Sequence, residues 1–108
     1  MIIFMSKIIA VDFDGTLCEN QYPDIGRPKY NVISALKHEK ALGSYVILWT
    51  CRRDDTLQKA LNWCNAHGIY FDAVNANLPD VIDCYGGDTR KVIADEYWDD
   101  KSVNIYNL

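Results

Sequence analysis

One segment, IIAVDFDGT at positions 8–16, constrains the fold of this chain more than any other. Its apolar and partly β-branched beginning is typical of a buried strand in a parallel sheet, and ligands of such sheets bind beyond the carboxyl ends of the strands. Two carboxylates, Asp12 and Asp14, lie at that end, where they repel each other unless a cation or a shared proton compensates. Mg²⁺ prefers oxygen ligands, and Gly15 allows a sharp turn directly after the acids. The segment therefore predicts a magnesium site at the mouth of an α/β fold.

Strand and helix patterns alternate along the rest of the chain. We predict strands over 7–13, 45–49, 69–75 and 92–98 and helices over 29–42 and 56–67. The prolines and glycine of 14–28 indicate an irregular loop, 78–90 is expected to hold one helical turn at most, and 102–108 could add a short edge strand. This alternation predicts an α/β fold, a three-layer Rossmann-like sandwich with a central parallel sheet and right-handed crossovers.

Size, charge and cysteine usage narrow the classes of function. A chain of 108 residues without a repeat or linker is expected to be one domain over 1–108, with 1–6 as an N-terminal extension. The net charge of −4 argues against broad binding to duplex nucleic acid, which normally needs a basic face. The cysteines at positions 18, 51, 64 and 84 form no C-x-x-C pair and are expected to be reduced thiols. Because the sequence shows no leader and no membrane span, the expected location is the cytoplasm.

Side chains with complementary chemistry lie at the ends of predicted strands or in the loops beside them. Asp12 and Asp14 follow the first strand, and Thr50 follows the second. Lys91 comes after a glycine-bearing loop, and Asp99–Asp100 follow the last strand. A metal ion and an ammonium group neutralise phosphoryl oxygens, which dominates the catalysis of phosphoryl transfer, and a carboxylate can be the nucleophile. The set therefore predicts a phosphoryl-transfer site.

These residues resemble the motifs of the haloacid dehalogenase superfamily, most of whose members are phosphatases. The sequence DFDGT at 12–16 matches the first motif of that family, D-x-D-G-[TV]. Thr50 matches its Ser or Thr at the end of an apolar strand, and Lys91 matches its Lys or Arg upstream of the last site strand. Asp99–Asp100 match its acidic pair after a strand. The resemblance extends from position 7 to about position 100 and implies a core of the predicted fold class.

The resemblance also implies an activity and a role for each residue. The chain would be a Mg²⁺-dependent phosphomonoester hydrolase with an aspartyl-phosphate intermediate. Asp12 would attack phosphorus, while Asp14 would protonate the leaving group and later activate water. Thr50 and Lys91 would bind the phosphoryl group. Mg²⁺ would be held by the Asp12 carboxylate, the backbone carbonyl of Asp14 and the carboxylate of Asp99.

Several positions in this assignment stay open. Asp100 is the second choice as a metal ligand, and Asp95, from an acidic pair four residues before the preferred one, is a reserve if the last strand is shorter. Arg90 could replace the motif lysine. Arg52 could contact a substrate phosphate or base, or it could be a surface charge that precedes a helix.

The connections in which this family inserts cap domains, about 15–28 and 76–90, are too short here for a folded domain. The resemblance therefore implies a capless member with an open site. Its flap would lie within 15–27, with Tyr22, Ile25 and Arg27 near the substrate. An open site admits large phosphorylated substrates, or small ones if a second subunit covers it, so a homo-oligomer is one expectation.

Other functions are compatible with the same residues. A signalling receiver domain also combines acids, a hydroxyl, a lysine and Mg²⁺, but it accepts phosphate on an aspartate at the end of the third strand, where this chain has Val74 and Asn75. A catalytically idle binding domain that keeps the metal site is another alternative, and a phosphatase of nucleotides or nucleic-acid ends is a third. The expected partner is a phosphorylated molecule whose identity the sequence does not reveal.

Overall fold

The structure, a computed structural model, describes residues 6–108, so the predicted N-terminal extension lies almost entirely outside the described residues. The strands are β1 (Ile8–Val11), β2 (Cys18–Gln21), β3 (Asp24–Pro28), β4 (Tyr45–Leu48), β5 (Ala73–Val74) and β6 (Glu96–Trp98). The helices are α1 (Tyr30–Ala41), α2 (Asp54–Ala66) and α3 (Pro79–Tyr85), followed by a 3₁₀ turn at Ile105–Asn107.

The central sheet has four parallel strands in the order β5-β4-β1-β6. All four residues of β1 are buried, because both faces of this strand are covered. Ile9 and Val11 pack in one core with α1 and α2, whereas Ile8 and Ala10 pack in a second core with Val81 of α3. Helices therefore flank both faces of a parallel sheet, and the predicted fold class is confirmed.

The order of the strands determines where a ligand can bind. From β1 the chain moves to β4 and β5 on one side and then returns to β6 on the other side of β1. The strand order thus reverses between β1 and β6, and in open α/β sheets ligands bind in the crevice beyond the carboxyl ends at such a point. Asp12 directly follows β1 and Asp99 directly follows β6, so both acids lie at this crevice.

Three connecting segments differ from the sequence-based expectations. Residues 14–28 hold the antiparallel hairpin β2–β3, whose residues are mostly exposed, and not an irregular loop. Residues 78–90 contain the seven-residue helix α3, which starts with a proline at its first turn and ends at Gly86 with φ +73°. Pro79 and Gly86 are typical of the two ends of a helix, although each of them is also typical of loops. The segment 102–108 forms a 3₁₀ turn and not an edge strand.

Other strands and helices have boundaries that differ from the predicted ones. The last strand is limited to β6 and the third predicted strand to β5, so both are shorter than the apolar patterns suggested. Helix α2 begins two residues earlier than predicted, with Asp54 and Asp55 in its first turn, where carboxylates interact favourably with the helix dipole. Within residues 6–108, no helix has the length and apolar character that crossing a bilayer requires.

Candidate functional site

Three carboxylates converge at the crevice between β1 and β6. One oxygen from each of Asp12, Asp99 and Asp100 lies within 4.8 Å of the others. The backbone N–H of Asp12 donates to the carbonyl of Trp98 at 3.0 Å, which extends the pairing of β1 with β6 to the first acid of the cluster. The structure therefore brings the first and last acidic motifs together, as sequence reasoning predicted.

Burial and charge make this cluster suitable for a cation. The pKa of the Asp12 carboxyl is raised from 3.8 to about 6, mainly because burial desolvates the carboxylate. The neighbouring carboxylates of Asp99, Asp100 and Asp14 contribute to this rise, and the hydrogen bond from the Phe13 N–H opposes it. Three oxygen ligands with excess negative charge fit a hard divalent cation such as Mg²⁺. Asp12, Asp99 and Asp100 are the residues whose carboxylates would hold it.

The close approach of Asp100 depends on Gly15. This glycine has φ +88°, and a Cβ atom there would overlap the Asp100 carboxylate. The Thr16 hydroxyl accepts a hydrogen bond from the Asp100 backbone N–H at 3.1 Å. Gly15 and Thr16 of the first motif therefore position Asp100, which the sequence offers only as the second choice of metal ligand.

Asp14, the second acid of the first motif, is paired with Arg52. The guanidinium donates from Nε to Oδ2 and from Nη2 to Oδ1, both at 2.8 Å. The Arg52 side chain is 1% exposed and that of Asp14 is 17% exposed. Such a two-point, charge-assisted contact fixes the orientation of a carboxylate as well as its position. Asp14 is thus held beside Asp12 in a defined orientation.

The remaining donors of Arg52 bind backbone carbonyls. Nη1 donates to Pro23 and Thr56, and Nη2 donates to Asp24 as well as to Asp14. All five N–H groups of the guanidinium are therefore used within the protein. The structure gives Arg52 a different role from the predicted contact with a substrate phosphate: it joins the site to the β2–β3 hairpin and to α2. The sequence held no signal for this burial, because its charged neighbour Arg53 and the helix that follows are typical of a surface.

A cavity of about 610 Å³ contains most of the predicted site residues. Thr50 lies in it with its hydroxyl accepting the Arg52 backbone N–H at 3.1 Å, and its own N–H donates to Asn75 at 2.8 Å. The hydroxyl is thus placed by local turn geometry at the end of β4. The lining residues are Asp12, Asp14, Asn20, Tyr22, Thr50, Cys51, Arg52, Asp99 and Lys101.

Lys91 lies in a neighbouring cavity of about 340 Å³ that shares Asp12 and Asp99 with the first. Its Nζ is 6.0 Å from the centre of the Tyr97 ring. Among residues 6–108, no hydrogen bond or ion pair joins the Lys91 side chain to the acids of the cluster. The exposed ammonium group therefore lies at the predicted edge of the sheet, but it is not bonded to the carboxylates.

The loop before Lys91 is anchored by Asn77, which sequence reasoning did not select. Asn77 is 2% exposed, and its amide donates to Asp88 at 2.9 Å and to the Thr89 hydroxyl at 3.1 Å. Its Oδ1 accepts the N–H of Ile93 at 2.7 Å. A single buried asparagine thus fixes both ends of the segment that carries Lys91. An isolated polar residue before a proline-initiated helix gives no recognisable sequence signal of this kind.

Two alternatives from the sequence do not fit the site. The Asp95 carboxylate accepts the N–H of Ile8 at 2.8 Å, at the amino end of β1, so it lies at the edge of the sheet opposite the acid cluster. The reserve assignment of Asp95 as a metal ligand was therefore wrong, and this residue instead stabilises the start of β1. Arg90 is exposed and lines neither of the two cavities.

We expect the Asp12 carboxyl to make stability depend on pH. With a native pKa of about 6 against 3.8 when unfolded, the native state binds more protons than the unfolded state between these values. Without divalent cations, the wild type should therefore lose about 1–2 kcal/mol of stability relative to Asp12→Asn as the pH rises through this interval, after allowance for solvent screening. Urea unfolding of both proteins in the presence of a chelator, at pH values near the two ends of this interval, measures the difference in stability. A stability difference that is independent of pH would contradict the expectation.

The fold and the site define a class: an α/β protein of Rossmann-like architecture with an acidic site at the reversal of its strand order. More particularly, the chain is similar to a conserved protein of Bacteroides thetaiotaomicron whose structure is solved, with 38% sequence identity and a TM-score of 0.81. The match covers 91% of this chain and 78% of that protein, and the chain belongs to the same family. The description of that protein names no function. No protein-family model and no curated protein matches the chain.

Proposed function

We propose that the protein is a phosphomonoester hydrolase of the haloacid dehalogenase type, which uses Mg²⁺ and acts through an aspartyl-phosphate intermediate in the cytoplasm. The supporting observation is the convergence of Asp12, Asp14, Thr50 and Asp99 in one cavity, with Lys91 in the adjoining one. These residues come from separate strand ends, and their chemistry matches the requirements of phosphoryl transfer.

Asp12 is the nucleophile in this proposal. One of its oxygens forms a bond to phosphorus while the ester bond to the leaving oxygen breaks. Asp14 supplies the proton to the leaving oxygen, and in the second step it takes a proton from the water that releases phosphate. The Arg52 guanidinium holds the Asp14 carboxylate before the reaction. The proton that Asp14 supplies has to lie on one of its two oxygens, so one of the two contacts with Arg52 opens in that step while the other keeps the carboxyl group in position.

Thr50 and Lys91 bind the transferred phosphoryl group. The Thr50 hydroxyl can donate to a phosphoryl oxygen, since it already accepts from the Arg52 N–H. The exposed Lys91 ammonium group can approach the same oxygens from the neighbouring cavity. When bound, Mg²⁺ supplies positive charge that lowers the repulsion between Asp12 and the phosphoryl oxygens. The Asp14 carboxylate is occupied by Arg52, so its backbone carbonyl is the group of that residue that remains for the metal.

A receiver-like phospho-acceptor is the alternative of a different class, and the site supports it less well. The residue after β5 is Asn75, whose Oδ1 accepts the Thr50 N–H at 2.8 Å. An amide at this place cannot serve as the phosphate acceptor of a receiver domain. The acidic cluster after β1 and β6 is instead suited to a nucleophile that is itself part of the metal site.

The test is the release of inorganic phosphate from a panel of phosphomonoesters, with and without Mg²⁺. We expect turnover of at least one substrate in Mg²⁺ and a loss of about 10²-fold or more in a chelator, because the acid cluster then repels the phosphoryl group. Restoring Mg²⁺ should restore the rate. Activity that is unaffected by chelation would contradict the metal assignment, and the absence of turnover across the panel would contradict the proposed function.

A further inference from the structure

The larger cavity extends well beyond the reacting groups. Besides the predicted site residues, its lining includes Asn20 and Tyr22 of the β2–β3 hairpin and Lys101 after β6. A cavity of about 610 Å³ exceeds what a phosphoryl group alone would fill. The chemistry of these three additional residues should therefore reflect the leaving group of the substrate.

The Tyr22 ring forms a supported aromatic surface in the lining of this cavity. The centre of the Arg52 guanidinium lies 5.1 Å from the centroid of the ring, and Tyr22 is nevertheless 58% exposed. The same guanidinium binds the carbonyls of Pro23 and Asp24, so the hairpin residues that follow Tyr22 are fixed to the body of the protein. A ring that is supported on one side and accessible to solvent suits stacking of a planar group.

The polar groups near the ring favour a heterocycle over a plain aryl group. The Asn20 Oδ1 accepts the backbone N–H of Tyr22 at 3.2 Å, which leaves the NH₂ group of the Asn20 amide as a donor in the same cavity lining. The Lys101 side chain also lines the cavity and is 75% exposed, so its ammonium group can contact a ligand although it lies 3.6 Å from an Asp100 carboxylate oxygen. An amide and an ammonium group can bind the hydrogen-bonding edge of a base or the hydroxyls of a sugar.

We propose that the substrates are nucleoside monophosphates whose base stacks on Tyr22, an inference that rests on the proposed function. Water is consumed and the phosphoester bond is broken, which yields a nucleoside and inorganic phosphate. The phosphoryl group passes through Asp12, and the nucleoside oxygen takes its proton from Asp14. The contact between Tyr22 and Arg52 places the stacking surface directly against the group that holds Asp14.

The test compares kcat/KM for adenosine 5′-monophosphate, ribose 5-phosphate and 4-nitrophenyl phosphate. Stacking of the base should raise kcat/KM by about 10-fold or more. The wild type should therefore prefer the nucleotide over ribose 5-phosphate by that factor. Tyr22→Leu should remove the preference, because kcat/KM should fall more for the nucleotide than for ribose 5-phosphate, and Tyr22→Phe should retain it. Tyr70→Leu is the matched control, because Tyr70 is 63% exposed and lines neither cavity of the site.

Each other outcome overturns part of the inference. Equal rates with nucleotide and ribose 5-phosphate, or equal losses for both in Tyr22→Leu, would overturn the stacking site. A Tyr22-dependent preference for 4-nitrophenyl phosphate over the nucleotide would overturn the nucleoside assignment.

A binding measurement separates this inference from the proposed function. Calorimetric binding of adenosine 5′-monophosphate to Asp12→Asn, with and without Tyr22→Leu, needs no turnover. Tyr22-dependent binding in a protein whose wild type hydrolyses nothing would reject the hydrolase and keep the base site. Hydrolysis without any dependence on Tyr22, in binding or in rate, would reject the base site and keep the hydrolase.

Discussion

Replacing Asp12 by asparagine should lower kcat for phosphomonoester hydrolysis by about 10³-fold or more. Asparagine has nearly the same shape, but its amide oxygen is a poor nucleophile and carries no charge for a cation. The protein should remain folded, because a neutral amide removes both the cost of burying a charge, which is the main cause of the pKa of about 6 at Asp12, and the repulsion by the neighbouring carboxylates. The measurement is single-turnover phosphate release together with a urea unfolding curve.

The matched control for this change is Asp83→Asn on α3. Asp83 is exposed and lines neither cavity of the site, so the same chemical change there should leave kcat within experimental error. Magnesium-dependent hydrolysis that persists in Asp12→Asn at a rate near that of the wild type would refute the role of Asp12 as nucleophile.

Replacing Arg52 by methionine should lower the free energy of unfolding by about 3–5 kcal/mol. The substitution keeps much of the apolar volume but removes the partner of the partly buried Asp14 carboxylate and leaves three backbone carbonyls without this donor. Hydrolysis should be lost to a larger extent than the fraction of unfolded protein explains, since Asp14 is no longer held. Urea denaturation and kcat at a temperature where the variant is folded measure the two effects.

Arg53→Met is the matched control for Arg52→Met, because it makes the same chemical change at the adjacent residue. The Arg53 side chain is 90% exposed and its contact with Asp54 is 3.8 Å long, so its replacement should change stability by less than about 0.5 kcal/mol. Combining Arg52→Met with Asp14→Asn should recover part of the lost stability, because the unpaired charge is then removed. Equal effects of the two arginine substitutions would mean that the Arg52–Asp14 contact does not stabilise the fold.

The core of the sheet could be predicted because its residues are close in sequence and uniformly apolar. β1 and β4 are buried on both faces, which produces continuous apolar runs. The β2–β3 hairpin could not be predicted in this way, since Cys18 is the only buried residue of β2 and the remaining residues are polar. Helix α3 was missed because Pro79 and Gly86, which mark its ends, are also typical loop residues.

The same distinction holds for the site. Asp12, Thr50 and Asp99 were predictable because each follows a strand whose carboxyl end meets the same edge. The burial of Arg52 was not, because its partner Asp14 is 38 positions away and the hairpin carbonyls are 28 and 29 positions away. The choice between acidic pairs depended on where the last strand ends, and that strand ends at Trp98.

The contact between Gly15 and Asp100 has a consequence for protein engineering. The Asp100 carboxylate occupies the volume that any side chain at position 15 would need. The turns after β1 and β6 therefore pack directly against each other, although they are far apart in the sequence. A designer who grafts this centre onto another parallel sheet has to transfer both turns as one unit and to retain glycine at position 15.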